Sequence, residues 1–293
     1  MDTLDLPPQR MKLHRSVFVT NPPDDARALH VERMRAALPQ LGPDSYFCRA
    51  SASLLHGLPL WFPDLELVHV VRTQGGHGGV SPWIHAYTTP LAPPATTIID
   101  GLRVTSLERT AADVMRRLKF GPSLAMADAV LRLGGSRGFL LKEVETGRGC
   151  RHCTEAVLRA DPRSESPYES WARAVMLQNQ IPLPRLQVEF SDHLGFIGRV
   201  DYYWPRQRLV GEYDGETKYN ELLPAGGTRD DALVAAAIRQ RRIEALGNRF
   251  LRFGKDEVHD SFILAGRLAD EFGDQRVDHG LCPEAMDHRR PRR

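Results

Sequence analysis

Residues 199–215 read Arg199-Val200-Asp201-Tyr202-Tyr203-Trp204-Pro205-Arg206-Gln207-Arg208-Leu209-Val210-Gly211-Glu212-Tyr213-Asp214-Gly215. On both sides of residues 205–208 the chain alternates between polar and apolar, the pattern of two half-buried strands, and a four-residue loop is common between such strands. That loop sets Trp204 opposite Leu209, Asp201 opposite Glu212 and Arg199 opposite Asp214. Alternation then collects Arg199, Asp201, Glu212 and Asp214 on one face. Val200, Tyr202, Trp204, Leu209, Gly211 and Tyr213 fall on the other, which is the more apolar.

Two directly opposed carboxylates have Cβ atoms about 4.5–5.5 Å apart, and their repulsion is costly unless a positive group binds between them. A hard divalent cation, Mg²⁺ or Mn²⁺, takes oxygen ligands and neutralises both acids, which makes Asp201 and Glu212 candidate metal ligands. Lys218 follows Asp214 by four residues and can reach the same place. The alternative is an exposed charged face, with Arg199 paired to Asp214 and Asp201 solvated. A one-residue register slip would remove the constellation altogether.

Around this hairpin the second half of the chain reads helix, strand, strand, helix, strand. Ser166 is a candidate N-cap, Pro167 stands at the first helical position and Glu169 lies in the first turn. Strand-like runs cover residues 188–190, 196–204 and 209–213. A helix over 232–246 is closed by Gly247, and a last strand covers 249–253. The first half offers a strand-like piece at 16–20, helices over 26–38 and 50–55, and strands at 65–71 and 83–88 around a glycine-rich hairpin loop at 73–79. Residues 105–108 form a capping-box pattern ahead of an apolar stripe from Leu107 to Leu118, and Gly121-Pro122 breaks that helix before another opens at Ser123. Residues 142–163 are polar and partly glycine-punctuated. The expected class is α/β, with an α+β N-terminal part and a C-terminal mixed sheet flanked by helices. The expected domains are 1–160, 161–275 and a basic, disordered tail over 276–293.

The chain has 293 residues, 39 Lys+Arg against 37 Asp+Glu, and a formal net charge of +2, which excludes a strongly basic nucleic-acid coat. No apolar run approaches the ~18–20 residues of a membrane span, and the start lacks an apolar signal core, so a cytoplasmic protein with no membrane contact is expected. Four cysteines in a chain of this length do not make a disulfide framework. Cys150-Arg151-His152-Cys153 has metal-like spacing without a second pair, Cys282 with His279 being its one conceivable partner, so free thiols are expected.

The stretches SPYESW (166–171), QV (187–188), RVDYYWP (199–205), GEYDG (211–215) and KY (218–219) resemble the very-short-patch-repair-like branch of the PD-(D/E)XK endonuclease superfamily. The resemblance covers about residues 163–258. It implies a restriction-endonuclease-like sheet holding Mg²⁺ or Mn²⁺, with DNA as partner and phosphodiester cleavage of a defence or repair type. Carried over position by position, Asp201 and Glu212 are metal ligands and Glu169 is the first-helix acid that assists the metal or its water. Asp214 stands where many members carry lysine, leaving Lys218 as the transition-state cation. The helix after the hairpin departs from that pattern: residues 236–240 read Ala-Ala-Ile-Arg-Gln where Glu-Lys-x-x-Glu is usual.

The stretches SASLLHGLPL (51–60), VHV (68–70) and DGLRVTSLERTAAD (100–113) resemble AbiEi-type antitoxins, over about residues 14–135. Such proteins pair a winged helix-turn-helix with a second domain, repress transcription and oppose a toxin. Here residues 10–20 look like the wing, with too few residues ahead of them for the helix pair that reads DNA. The alternative function is therefore a non-catalytic antitoxin or transcriptional regulator that keeps a nuclease-like fold, with a cognate toxin as partner. His56 ahead of Gly57 reads as a helix C-terminus, and Arg109 with Asp113 as an (i, i+4) ion pair.

Overall fold

The computed structural model describes residues 10–14, 17–61, 65–74, 78–92, 95–145, 151–215 and 229–286. It is an α/β protein with mixed sheets, and its contacts divide it into two compact units. One comprises residues 1–117 and 134–148, the other 118–133 and 149–293.

In the first unit β1 (Arg10–His14) and β2 (Val17–Thr20) form a two-stranded antiparallel sheet. A six-stranded sheet has the order β5-β6-β4-β3-β8-β7, made by β3 (Ser45–Phe47), β4 (Val68–Arg72), β5 (Gly79–Val80), β6 (Ile84–Thr88), β7 (Thr96–Ile99) and β8 (Leu102–Thr105). Helices α1 (Ala26–Ala37), α2 (Arg49–His56) and α3 (Leu107–Met115) accompany it. Met34, Phe47, Val68, Val70, Trp83, Leu102 and Val104 form its core. Two local expectations are corrected. β4 and β6 run parallel, with β5 antiparallel to β6, so residues 73–79 do not close a simple hairpin. The cap of α3 is Ser106, which accepts from Arg109 N at 3.3 Å, whereas the Glu108 carboxylate accepts from Ser136 N at 2.8 Å instead of closing a capping box. Arg109 and Asp113 pair at 2.9 Å as expected.

The second unit begins with α4 (Phe120–Arg132), which starts ahead of Gly121-Pro122 because proline is tolerated in a helix's first turn. Helix α4 packs on α6 (Arg151–Arg159) and α7 (Pro167–Gln178), while α5 (Arg137–Glu145) packs on α3 of the first unit. The contacts therefore divide the chain on either side of α4 and again after residue 148, and part of the polar stretch 142–163 is helical. Asp128, fully buried, accepts from both Arg173 Nη2 and Asp161 N, which ties α4 to α7.

The sheet of this unit has the order β12-β11-β10-β9, from β9 (Arg185–Asp192), β10 (Gly195–Trp204), β11 (Leu209–Tyr213) and β12 (Arg249–Phe253). β10 and β11 are the expected hairpin. Their register is Tyr202↔Gly211, Tyr203↔Val210 and Trp204↔Leu209, and the loop closes with Arg208 N donating to Pro205 O. The long helix α8 (Arg229–Ala245) crosses over to β12, which runs parallel to β11. Helices α9 (Lys255–His259), α10 (Ser261–Phe272) and α11 (Pro283–Met286) complete the unit.

Two apolar clusters sandwich this sheet. Tyr202, Trp204, Leu209, Tyr213, Leu251 and Phe253 pack with Val175 and Met176 of α7 and with Leu264 and Leu268 of α10. Phe190, Ile197, Val200 and Val210 pack with Ile243 of α8. Val200 thus sits apart from Tyr202 and Trp204, contrary to strict alternation: between them β10 parts from β11 beyond Tyr202, and Gln187, across from Asp201 on β9, holds φ +53. Part of the expected tail is also ordered. Val277 N donates to Gln180 O at 2.8 Å, Gln178 Nε2 donates to Ala285 O at 2.6 Å, and Ala285 is buried.

Candidate functional site

One position beyond the last pair of the hairpin, Tyr202↔Gly211, lie Asp201 on β10 and Glu212 on β11. The flanking pairs Val188↔Val200 and Leu186↔Tyr202 put Gln187 alongside Asp201, and Arg252 is the parallel partner of Glu212. A row of polar side chains, Gln187, Asp201, Glu212 and Arg252, therefore crosses all four strands. The strands separate at this row: Asp201 Oδ2 accepts from Tyr213 N at 2.9 Å, where a regular ladder would use a backbone carbonyl.

Glu212 is only 6% exposed. A buried carboxylate must be paired, and the pairing comes from two arginines. Arg239 Nη2, from α8, donates to Oε1, and Arg252 Nη2 lies 3.0 Å from Oε2. Arg239 Nη2 also donates to Arg199 O at 2.7 Å, so the guanidinium clamps β10 and β11 together. Arg252 reaches Asp214 Oδ1 at 3.4 Å, and its Nη2 donates to Gln240 Oε1 at 3.2 Å. Arg199 does not pair with Asp214; its guanidinium binds both oxygens of Glu165, at 2.6 and 2.7 Å.

Glu169 is 3% exposed. It lies in the first turn of α7, whose N-cap Ser166 accepts from Glu169 N at 3.2 Å. Its Oε2 accepts from Glu165 N at 2.9 Å and from Gln187 Nε2 at 3.1 Å, and its carbonyl accepts from the Tyr202 hydroxyl at 2.7 Å. Glu169 is thus both a capping residue and the link between α7 and the polar row. Gln187 holds φ +53, a left-handed conformation unusual for a residue with a Cβ. Burial, and after it the charges of Glu169 and Asp201, raise the Tyr202 hydroxyl well above its ordinary pKa and keep it a donor. Lys218 lies outside the described residues.

Asp201, Glu212 and Asp214 offer only carboxylate oxygens, which is the donor chemistry of a hard cation. The guanidinium groups of Arg239 and Arg252 supply positive charge to Glu212. Among the described residues no group of three or more His, Cys, Asp or Glu is placed to hold a metal ion. Cys48 and Cys282 are free thiols, as expected.

Sequence reading found the acids and missed their partners. Arg239 was visible only as a departure on the helix that follows the hairpin, and Gln187 only as part of a short motif. Nothing local in Arg249-Phe250-Leu251-Arg252-Phe253 marks Arg252 as a neighbour of Glu212, because a crossover sets that register.

Two proteins of Mycobacterium tuberculosis resemble this chain: the uncharacterized proteins MT2308, of strain CDC 1551 / Oshkosh, and Rv2248, of strain ATCC 25618 / H37Rv. Each is 38% identical over 120 residues, covering 40% of this chain and 44% of the relative. The chain thus spans less than half the length of the curated relatives it matches. No protein family profile matches it, and no solved structure does. No helix among the described residues is long and apolar enough to cross a membrane.

Proposed function

We propose that the second unit is a metal-dependent DNA endonuclease of the restriction-endonuclease-like type, with Asp201 and Glu212 holding Mg²⁺ or Mn²⁺. The observation that carries this reading is the row Gln187–Asp201–Glu212–Arg252, opened by the parting of β10 and β11 and joined to Glu169 through Gln187. A structural hairpin has no use for two acids at one register position. Bound there, the metal supplies Lewis acidity and a water of lowered pKa. The chain's own residues do the rest. Gln187 orients the Glu169 carboxylate, and Tyr213 N orients Asp201. Arg239 and Arg252 are the cations next to Glu212, suited to a phosphodiester's charge. Lys218 remains the candidate transition-state cation from the sequence.

A second reading has an observation of its own. Both oxygens of Glu212 are engaged by arginine, and α8 lacks the acids that similar helices carry. A non-catalytic regulator or antitoxin, partnered by DNA or a cognate toxin, would keep this network as a structural clamp. Both readings place the protein in the cytoplasm.

The decisive experiment incubates the full chain with duplex, nicked and single-stranded DNA plus Mg²⁺ or Mn²⁺, beside Asp201→Ala and Glu212→Ala. Cleavage by the wild type that both variants lose supports the nuclease. No cleavage, or cleavage undiminished in the variants, overturns it. Thermal stabilisation by Mn²⁺, lost in the same variants, separates a live metal site from the clamp.

A further inference from the structure

We propose that Arg49, His69, His85 and Tyr87 form a binding site in the first unit for a nucleoside phosphate, either a free nucleotide or a residue of a single strand. The parallel register of β4 and β6 pairs His69 with His85 and Val71 with Tyr87. Alternation therefore brings His69, His85 and Tyr87 to one face. The three rings are contiguous: His85 stacks on Tyr87 at 4.2 Å between centroids, His69 lies 5.7 Å from His85, and His69 Nδ1 is 3.0 Å from the Tyr87 hydroxyl. Arg49, the first residue of α2, places its guanidinium carbon 3.8 Å from the Tyr87 ring centroid. All four side chains are half-buried, so the cluster is open to a ligand.

Beyond its contact with Tyr87, Arg49 has two unusual features. Its φ is +49, a left-handed conformation that residues with a Cβ rarely adopt. Its Nη1 is enclosed with no hydrogen-bond acceptor among the described residues. Strain and an unsatisfied donor at one residue are the marks of a position kept for binding. The charge pattern agrees. After burial, Arg49 and Arg117 are what hold His85 below its ordinary pKa, so positive potential converges on the imidazole. Cys48, at the N-cap of α2, supplies no side-chain cap, so the positive end of that helix lies at the same place.

The chemistry selects the ligand. A guanidinium fork recognises phosphate oxygens. Flat aromatic and imidazole rings beside it stack on a base, as in single-strand recognition. An apolar ligand would leave the arginine unpaired, and a bare anion would leave the rings unused.

The test titrates the full chain with AMP, with inorganic phosphate and with a labelled single-stranded dodecamer, by calorimetry and fluorescence polarisation. The variants are Arg49→Gly, which adopts a positive φ without strain, and Tyr87→Leu. The expected result is binding of AMP or the dodecamer by the wild type, weakened at least about tenfold in both variants. Arg49→Gly should unfold no earlier than the wild type, so its loss of ligand is not a folding defect. Binding of AMP identifies a free-nucleotide site, and binding of the dodecamer alone identifies a strand. Three outcomes overturn the proposal: no binding of any probe to about 1 mM, equal binding by wild type and Arg49→Gly, or phosphate binding as tightly as AMP.

Discussion

Gly198→Ala should destabilise the second unit through Arg239. A Cβ added at Gly198 would lie 2.6 Å from Arg239 Nε and 3.0 Å from its Cδ, and the next nearest atom, Cγ, also belongs to Arg239. Because the obstacle is one flexible side chain, the cheapest relief is withdrawal of Arg239 from its place across β10. That withdrawal breaks its bonds to the Glu212 carboxylate and to Arg199 O. Charge-assisted hydrogen bonds contribute about 1.5–3 kcal/mol each. The Arg239 side chain is 27% exposed, and Arg252 remains at 3.0 Å to balance Glu212, which reduces the net loss to about 2 kcal/mol. For a unit of this size the midpoint should fall by about 4–8 °C. Arg239→Ala alone should cost about as much. In the Arg239→Ala background the clash is gone and Gly198→Ala becomes neutral, or stabilising by about 0.5 kcal/mol, since alanine favours a strand more than glycine does. The assay is urea and thermal unfolding followed by the fluorescence of Trp171 and Trp204, combined as a double-mutant cycle. Additive costs would refute the reasoning, because they would place the penalty of Gly198→Ala somewhere other than Arg239.

Gly121→Ala, in the first turn of α4, should cost about 1–3 kcal/mol, because its Cβ would fall 2.4 Å from Trp171 Cδ1 and an indole ring cannot bend aside; chemical denaturation reads this. Asp128→Asn should cost about 3 kcal/mol by leaving Arg173, 5% exposed, without its counter-charge. Replacing the pair by Leu and Met should recover most of that loss in the same unfolding assay. The two-oxygen bond from Arg242 is the main cause that holds the Asp192 carboxyl down to about 2 from 3.8. A lowered acid pKa contributes stability that is complete above about 3.8 and fades as pH falls toward about 2. Carboxyl NMR should show Asp192 titrating near 2, and in Arg242→Ala that midpoint should rise toward 3.8.

The local elements were legible from sequence wherever short-range physics decides them. The Ser166 cap, the Arg109–Asp113 pair, the αL glycine after His56 and the four-residue loop between Trp204 and Leu209 all depend on neighbours a few residues away. The helix Arg151–Arg159 was missed because its apolar positions, Cys153, Ala156 and Val157, are small and few, and α4 supplies the partner that makes them a core. The grouping of α4 with the C-terminal half was equally invisible, since Asp128 and Arg173 meet over 45 positions of sequence.

The same division runs through the candidate site. The sequence alone determined the register of the hairpin that carries the acids Asp201 and Glu212, with Tyr202 opposite Gly211 and Trp204 opposite Leu209, because that register follows from loop length and a period of two. Only the tertiary structure decided what answers their charge. Arg239 arrives on a helix and Arg252 on a parallel strand behind a crossover, positions fixed by how α8 packs on Phe190, Val200 and Val210 through Ile243. A buried carboxylate needs a partner, but which partner it finds is a matter of packing between segments far apart in the chain.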